Sequence, residues 1–248
     1  MPARRIGQSK EIKEIFYQRI REKVQREKEL LKGRVDEELP SWASWAVKPL
    51  VGLVHDWQSA RNTGKGEDGE YSAFLKLWLL LPSDWVIINN VVLEPEMDEF
   101  AQLDHLLIGP PGVFIIETKA WDGAFTGYKD NWKRKEGSGW VRCSSPTKQN
   151  KRHLNLFVKW LMAGGAEEYP PNPADWVFPV VVFTKAKWLK VTECSMPVFD
   201  GALGLSFYIR RKTGERRLSK SQVDAIAEAV ANATRFGKGV GGINSGAP

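Results

Sequence analysis

Residues 101–119 read AQLDHLLIGPPGVFIIETK, and this stretch decides the fold. Two short runs of apolar, β-branched and aromatic residues flank Gly109-Pro110-Pro111-Gly112, a set of turn formers, so the segment predicts a β-hairpin. With those four residues as the loop, Ile108 pairs with Val113, Leu106 with Ile115, and Asp104 stands opposite Glu117. The period of two then puts Lys119 on the same face, across from Gln102. Like charges directly opposed across a strand pair sit roughly 5 Å apart and repel. Two carboxylates and an ammonium are a poor way to build an apolar core, and the acids call for a cation between them.

A divalent metal is the economical cation. Mg²⁺ accepts one or two carboxylates, keeps several waters and leaves positions for phosphate oxygens. Lys119 beside such an ion would orient or deprotonate a water, or offset the charge on a phosphorus centre under attack. The competing reading makes Asp104 and Glu117 strand-end residues in solvent with Lys119 as a surface partner, an arrangement worth little energetically. Apolar flanks and an opposed aspartate favour the site.

Several separated segments share a pattern with one known family. Gly66-Glu67-Asp68-Gly69-Glu70 is similar to an opening G-x-x-G-E, Gln102-Leu103-Asp104-His105 to a Q-[IL]-D-H strand, and residues 112–119 to G-V-[FY]-[VI]-I-E-[TV]-K. Trp121-Asp122-Gly123, Trp132 and Pro146-Thr147-Lys148-Gln149 follow in the same order. The middle of the chain thus resembles the nuclease-related domain family, NERD, within the wider PD-(D/E)xK nucleases. The resemblance implies an α/β fold: a mixed central β-sheet flanked by helices, with a restriction-endonuclease-like core. It also implies a metal-dependent nuclease in which Glu70, Asp104, Glu117, Lys119 and Gln149 converge on Mg²⁺ or Mn²⁺. Asp104 and Glu117 would be the principal ligands, with Glu70 as an accessory acid and the backbone carbonyl of Thr118 facing the metal. Hydrolysis of DNA is the implied reaction, with RNA as a second substrate class; a noncatalytic nucleic-acid-binding or adaptor module on the same fold is the alternative.

Independent reading of the residues bears on each position. Tyr71, Phe74, Leu75, Trp78 and Leu81 have helical spacing over 67–81, which puts Glu70 at a helix start beside the apolar stripe. Glu70 could equally complement the helix dipole there. Pro146 suits a first helical position after a Ser145 cap, so Gln149 falls in the first turn of a helix whose stripe is Leu154, Phe157, Val158 and Leu161. Gln149 would position water or phosphate, or satisfy backbone groups. His105 alternates away from Asp104 and reads as a hydrogen-bonded core residue. His55 and His153 have no partners at zinc-like spacing. Cys143 and Cys194 are too few for a zinc site or a disulfide scaffold. Neither a G-x-S-x-G elbow nor a phosphate-binding G-x-x-x-x-G-K-[ST] loop occurs.

The chain has 248 residues, 42% of them hydrophobic, and a net charge of +6, enough for one α/β domain plus an appendage and compatible with polyanion partners. There is no apolar leader and no run long enough to cross a membrane, so a reducing cytoplasm is the expected setting. Residues 129–152 hold eight Lys or Arg against two acids. Lys133, Arg134, Lys135, Lys148, Lys151 and Arg152 in this stretch are the candidate phosphate contacts, and Tyr128, Trp132 and Trp140 lie among them. An aromatic there could stack on an unpaired base, although packing is the simpler role for the tryptophans. The segment KDNWKRKEGSGW reads as a second hairpin or loop beside Lys119.

Three regions follow from the composition. Residues 1–60 form an N-terminal helical, Trp-rich arm: Ile12, Phe16, Ile20 and Val24 repeat every four residues, and Trp42, Trp45 and Trp57 cluster after them. The Trp-rich segment at 40–57 could dock on the core, on a protein partner or on a membrane surface. Docking in cis is the simplest, and the membrane reading lacks a long helix and a strongly basic polar face. Residues 61–235 form the core, with strands at 85–93 and 177–183 and a closing helix capped by Ser219 and Gln222. Residues 236–248 form a Gly-rich tail with the composition of disorder.

Overall fold

The computed structural model describes residues 2–32, 81–163 and 169–232. The helix expected over 67–81, with Glu70, falls almost wholly outside them, as do the tryptophan cluster at 42–57 and the Gly-rich tail. Strand β1 (Arg4–Ile6) leads into helix α1 (Lys10–Lys32). Strands β2 (Val86–Leu93), β3 (Ala101–Gly109) and β4 (Gly112–Lys119) form an antiparallel meander. Strands β5 (Gly123–Tyr128), β6 (Asn131–Glu136) and β7 (Gly139–Cys143) precede helix α2 (Pro146–Ala163). Strands β8 (Val177–Phe183), β9 (Ala186–Thr192) and β10 (Val198–Asp200) and helices α3 (Ala202–Lys212) and α4 (Lys220–Asn232) follow.

These strands make two mixed sheets. The larger has six strands in the order β1-β2-β3-β4-β8-β10, with β4 parallel to β8. Its centre is the hairpin read from the sequence, and Ile108 faces Val113 and Leu106 faces Ile115 in the expected register. The smaller sheet, in the order β7-β6-β5-β9, was not foreseen as a sheet; the hairpin expected near Lys119 is its β6–β7 pair. Pro179 lies inside β8 without cost. Val181 N donates to Pro197 O on the β10 side, and Pro179 points the same way two residues earlier, before β10 begins at Val198.

Helices cover both faces of the large sheet. On one face, α2 contributes Leu156, Phe157, Trp160 and Leu161, and α4 contributes Val223, Ile226, Ala227 and Val230, against Ile88, Leu106, Ile108, Val113 and Ile115. On the other, Leu205 and Ile209 of α3 pack on Ile87, Leu107, Phe114 and Ile116. Helix α1 buries Phe16, Tyr17, Ile20 and Val24 against Val92 and Phe100, so the stripe read in the sequence docks in cis. Both predicted helix starts carry their caps. Ser145 Oγ accepts from Lys148 N at 3.1 Å, and Ser219 and Gln222 exchange backbone-to-side-chain bonds of 2.8 and 3.2 Å. Strand β1 pairs parallel with β2, so the N-terminal residues extend the same sheet that carries Asp104 and Glu117.

One irregularity matters for the site. Residues four apart on a strand share a face, yet Ile87 packs on the α3 side and Val91 on the α2 side. Leu107 and Leu103 of β3 divide in the same way. Asn90, at φ 52°, marks where β2 turns over, and the β2–β3 ladder skips the pair between Asn89–His105 and Val91–Leu103. The two neighbouring strands roll over together without a change of register, and the roll falls at Asp104.

The hairpin turn has no room for a methyl group at Gly112, whose φ is 140° and where a Cβ would lie 2.0 Å from Trp176 O. Gly112→Ala should therefore lower stability by about 3 kcal/mol or more, through strain at positive φ and a backbone clash. Gly137→Ala, at φ 56° with nothing within 4 Å, should cost only about 1 kcal/mol. Urea unfolding of the two variants measures the difference; equal losses would contradict the packing at Trp176.

Candidate functional site

Glu117 ends the apolar face of β4 and points toward α2, with 1% of its side chain exposed. Alternation along β4 places Glu117 on the face that α2 covers, as the sequence predicts. A carboxylate so enclosed must be compensated. Lys119 Nζ donates to Glu117 Oε1 at 2.6 Å and to Gln149 Oε1 of α2 at 3.1 Å. His153, one turn further along α2, brings Nδ1 to 3.2 Å from Glu117 Oε2. That is ion-pair range, but the two atoms are not aligned as a hydrogen bond, and Oε2 accepts none. Burial pushes the Glu117 carboxyl up, but His153 and the Lys119 ammonium outweigh it and hold it below the ordinary glutamate range.

Asp104 meets β4 differently from the expected cross-strand opposition. The β3–β4 ladder ends at His105–Ile116. Beyond it Asp104 Oδ2 accepts from Thr118 N at 2.8 Å and from Thr118 Oγ1 at 3.0 Å, in place of a main-chain pair. The rolled strand explains this: it brings the carboxylate into the seam between β3 and β4. In an extended strand the N–H and C=O of one residue point to the same side, so the Thr118 carbonyl faces that seam too. Burial, and then the charge of Glu117, push the Asp104 carboxyl up to about 7, against the Thr118 hydrogen bonds and the Lys119 charge, which pull it down.

Lys119 does not stand across from Gln102. The β3–β4 ladder stops at His105–Ile116, short of both residues; Lys119 pairs with Phe183 of β8 on the other side of β4, and Gln102 accepts from Tyr17 Oη of α1 at 3.2 Å. His105 is a core residue, as its alternation suggests: Nδ1 lies 2.9 Å from Asn89 Oδ1, and burial pushes the imidazole down to about 3. Gln149 reaches the site through Lys119, whereas Glu70 lies outside the described residues. His153 was dismissed for lack of zinc-like spacing. Its signal was the i, i+4 relation to Gln149, which puts both on one face of α2. Asn150 was also missed. Fully buried, it donates to Ile115 O and Val180 O at 3.1 and 2.9 Å and pins α2 to β4 and β8.

The cations at 133–152 do not form one patch. Lys133 and Lys135 lie on the outward face of the small sheet, while Arg134 pairs with Glu136. Lys148 donates to Asn131 Oδ1 at 3.2 Å and Arg152 to Phe100 O at 3.3 Å; Lys151 is exposed. Trp132 packs inward, stacked on Phe183 with centroids 5.2 Å apart and donating to Thr147 Oγ1 at 3.1 Å. A groove of about 630 Å³ opens beside the site, lined by Trp121, Phe125, Arg134 and Arg142 among others. The Lys119 ammonium lies 5.6 Å from the Trp121 ring centre.

A mixed sheet flanked by helices, with two carboxylates and a lysine gathered at the ends of its central strands, is a nuclease-like α/β core. Residues 65–184 match the family model of the nuclease-related domain, NERD. The chain is also 30% identical over 100 residues to an uncharacterized protein of Bacillus anthracis, a match covering 40% of this chain and 47% of that protein. The matched region thus spans about half the length of that relative. No solved structure gives a significant match.

The raised Asp104 carboxyl sets a sign for stability. The folded chain binds this proton more tightly than the unfolded one, so Asp104 costs least below about pH 4 and opposes folding increasingly as pH rises through about 7. In chelator, Asp104→Asn should melt above wild type at pH 8, and the gap should narrow as pH falls toward 4. Thermal melts across that range measure it, and a pH-independent gap would contradict the burial of this carboxylate.

Proposed function

We propose that this domain is a metal-dependent nuclease that hydrolyses phosphodiester bonds, with DNA as substrate. The observation that carries this reading is the contact of Lys119 with both Glu117 and Gln149, with Asp104 bonded to the intervening Thr118 from the neighbouring strand. The donor set suits a divalent ion: Glu117 Oε2 is buried without a hydrogen bond, and the Thr118 carbonyl faces the seam beside Asp104. Among the described residues no group of three or more His, Cys, Asp or Glu side chains is arranged to hold a metal. In this reading Asp104, Glu117 and the Thr118 carbonyl would hold Mg²⁺ or Mn²⁺, with waters and phosphate oxygens completing the shell and Glu70 as a further acid. When bound, the ion would lower the pKa of a water and offset charge on the phosphate.

The remaining roles belong to the chain itself. Lys119, held between Glu117 and Gln149, is positioned to orient the attacking water or to stabilise charge on phosphorus. Gln149 fixes the ammonium and His153 supports Glu117 from behind. Lys133, Arg134, Lys135, Lys148, Lys151 and Arg152 are the proposed phosphate contacts. No described helix is long and apolar enough to cross a membrane, and a cytoplasmic setting accords with two free cysteines.

Glu117→Gln and Lys119→Gln should each lower cleavage of labelled DNA in Mg²⁺ or Mn²⁺ by about a hundredfold or more while sparing DNA binding. Folded variants that cleave at the wild-type rate would remove these residues from the mechanism. Calorimetric titration with Mn²⁺ should give saturable binding that Asp104→Ala abolishes. Inertness toward DNA and RNA together with no metal binding would favour the noncatalytic adaptor.

A further inference from the structure

We infer that the outward face of the small sheet binds single-stranded nucleic acid, with Trp140 and Trp188 stacking on unpaired bases and Lys133, Lys135 and Lys190 meeting phosphates. The inference rests on the reading of this domain as acting on nucleic acid, but not on the chemistry at Glu117. It adds Trp188 and Lys190, which no sequence motif singled out.

Alternation separates the two faces of this sheet. Phe125 and Trp132 are buried against Val181 and Phe183 of the large sheet, so their face points inward. In the ladder Phe125 pairs with Leu189 and Trp132 with Cys143, which sends Trp188, Lys190, Trp140 and Arg142 to the opposite face with Lys133 and Lys135. The two tryptophans come from β7 and β9, the two edges of the sheet, and meet over its middle with ring centres 5.6 Å apart and planes at 47°. Ala124, the register partner of Trp188, leaves room for them above β5. They remain 40% and 45% exposed.

Isolated exposed aromatics are ordinary, but two indoles converging from opposite edges of one sheet form a platform. The charge on this face selects the occupant. No outward position of β5, β6, β7 or β9 carries Asp or Glu. Lys133, Lys135 and Lys190 are all exposed, and the Lys135 ammonium lies 5.6 Å from the Trp140 ring centre. Cations beside open aromatic faces suit a strand whose bases are unpaired, because a duplex hides its base faces in the stack. Arg142, opposite Lys133, adds a further cation to this face and also borders the groove beside Trp121.

The test uses the full chain in chelator, so that binding is read without cleavage, with fluorescein-labelled oligo(dT) and the same strand in a duplex with oligo(dA). Fluorescence anisotropy should show tighter binding of the single strand. Trp140→Ala/Trp188→Ala should weaken single-strand binding about thirtyfold and leave duplex binding nearly unchanged. Lys133→Gln/Lys135→Gln/Lys190→Gln should reduce the salt slope for the single strand by about two. These positions are exposed, and matching circular dichroism and melting curves establish that the variants fold. Single-strand binding unaffected by both sets of substitutions, a preference for duplex, or binding only to phosphatidylserine vesicles would overturn the inference while leaving the nuclease reading intact. Strong single-strand binding by a chain that cleaves nothing in Mg²⁺ or Mn²⁺ would uphold the inference and refute the nuclease.

Discussion

A carboxylate with almost no contact with water has to be answered by charge and by hydrogen-bond donors, and Glu117 imposes that demand on everything around it. Lys119 supplies the charge from two residues along the same strand. His153 supplies a second contact from α2, which fixes where the first two turns of that helix must lie. Asn150 reinforces the position from the same turn by bonding carbonyls of β4 and β8, and Ser145 caps the helix end that faces the site. Thus α2 is held by polar contacts at the site and by an apolar stripe further along. The remaining oxygen of Glu117 is buried with the His153 imidazole at 3.2 Å, in ion-pair range though not aligned as a hydrogen bond.

The small sheet depends on the same end of the large one. Trp132 stacks on Phe183, the last residue of β8, and its indole N–H reaches Thr147 in the first turn of α2. One side chain therefore joins the small sheet to the large sheet and to the helix that carries Gln149 and His153. The groove at Trp121, Arg134 and Arg142 is lined by the segment that follows Lys119 and by residues of the small sheet.

The hairpin was legible because its signals are local. Turn formers at 109–112 and alternating apolar runs set the register of β3 against β4, and that register holds as far as His105 and Ile116. The count failed at the next residue. Asp104 engages the backbone and hydroxyl of Thr118, because β2 and β3 roll over together and a period-two extrapolation cannot anticipate a left-handed residue in a neighbouring strand. His153 was missed for a related reason: its partner lies 36 positions earlier in the chain, on another element. Strand β1 carried no signal in its three residues and exists because β2 offers it an edge.

By itself the chain's order of residues determined the hairpin at 101–119, where α2 and α4 begin, and that Glu117 and Lys119 share a face, since all of these follow from backbone geometry among near neighbours. Tertiary structure alone decided that Gln149 and His153 close over that pair and that Asp104 turns into the seam. It also decided that Trp140 and Trp188 meet across a sheet. Burial and charge compensation are sums over groups distant in sequence, so they take definite values only when the sheets and helices have packed.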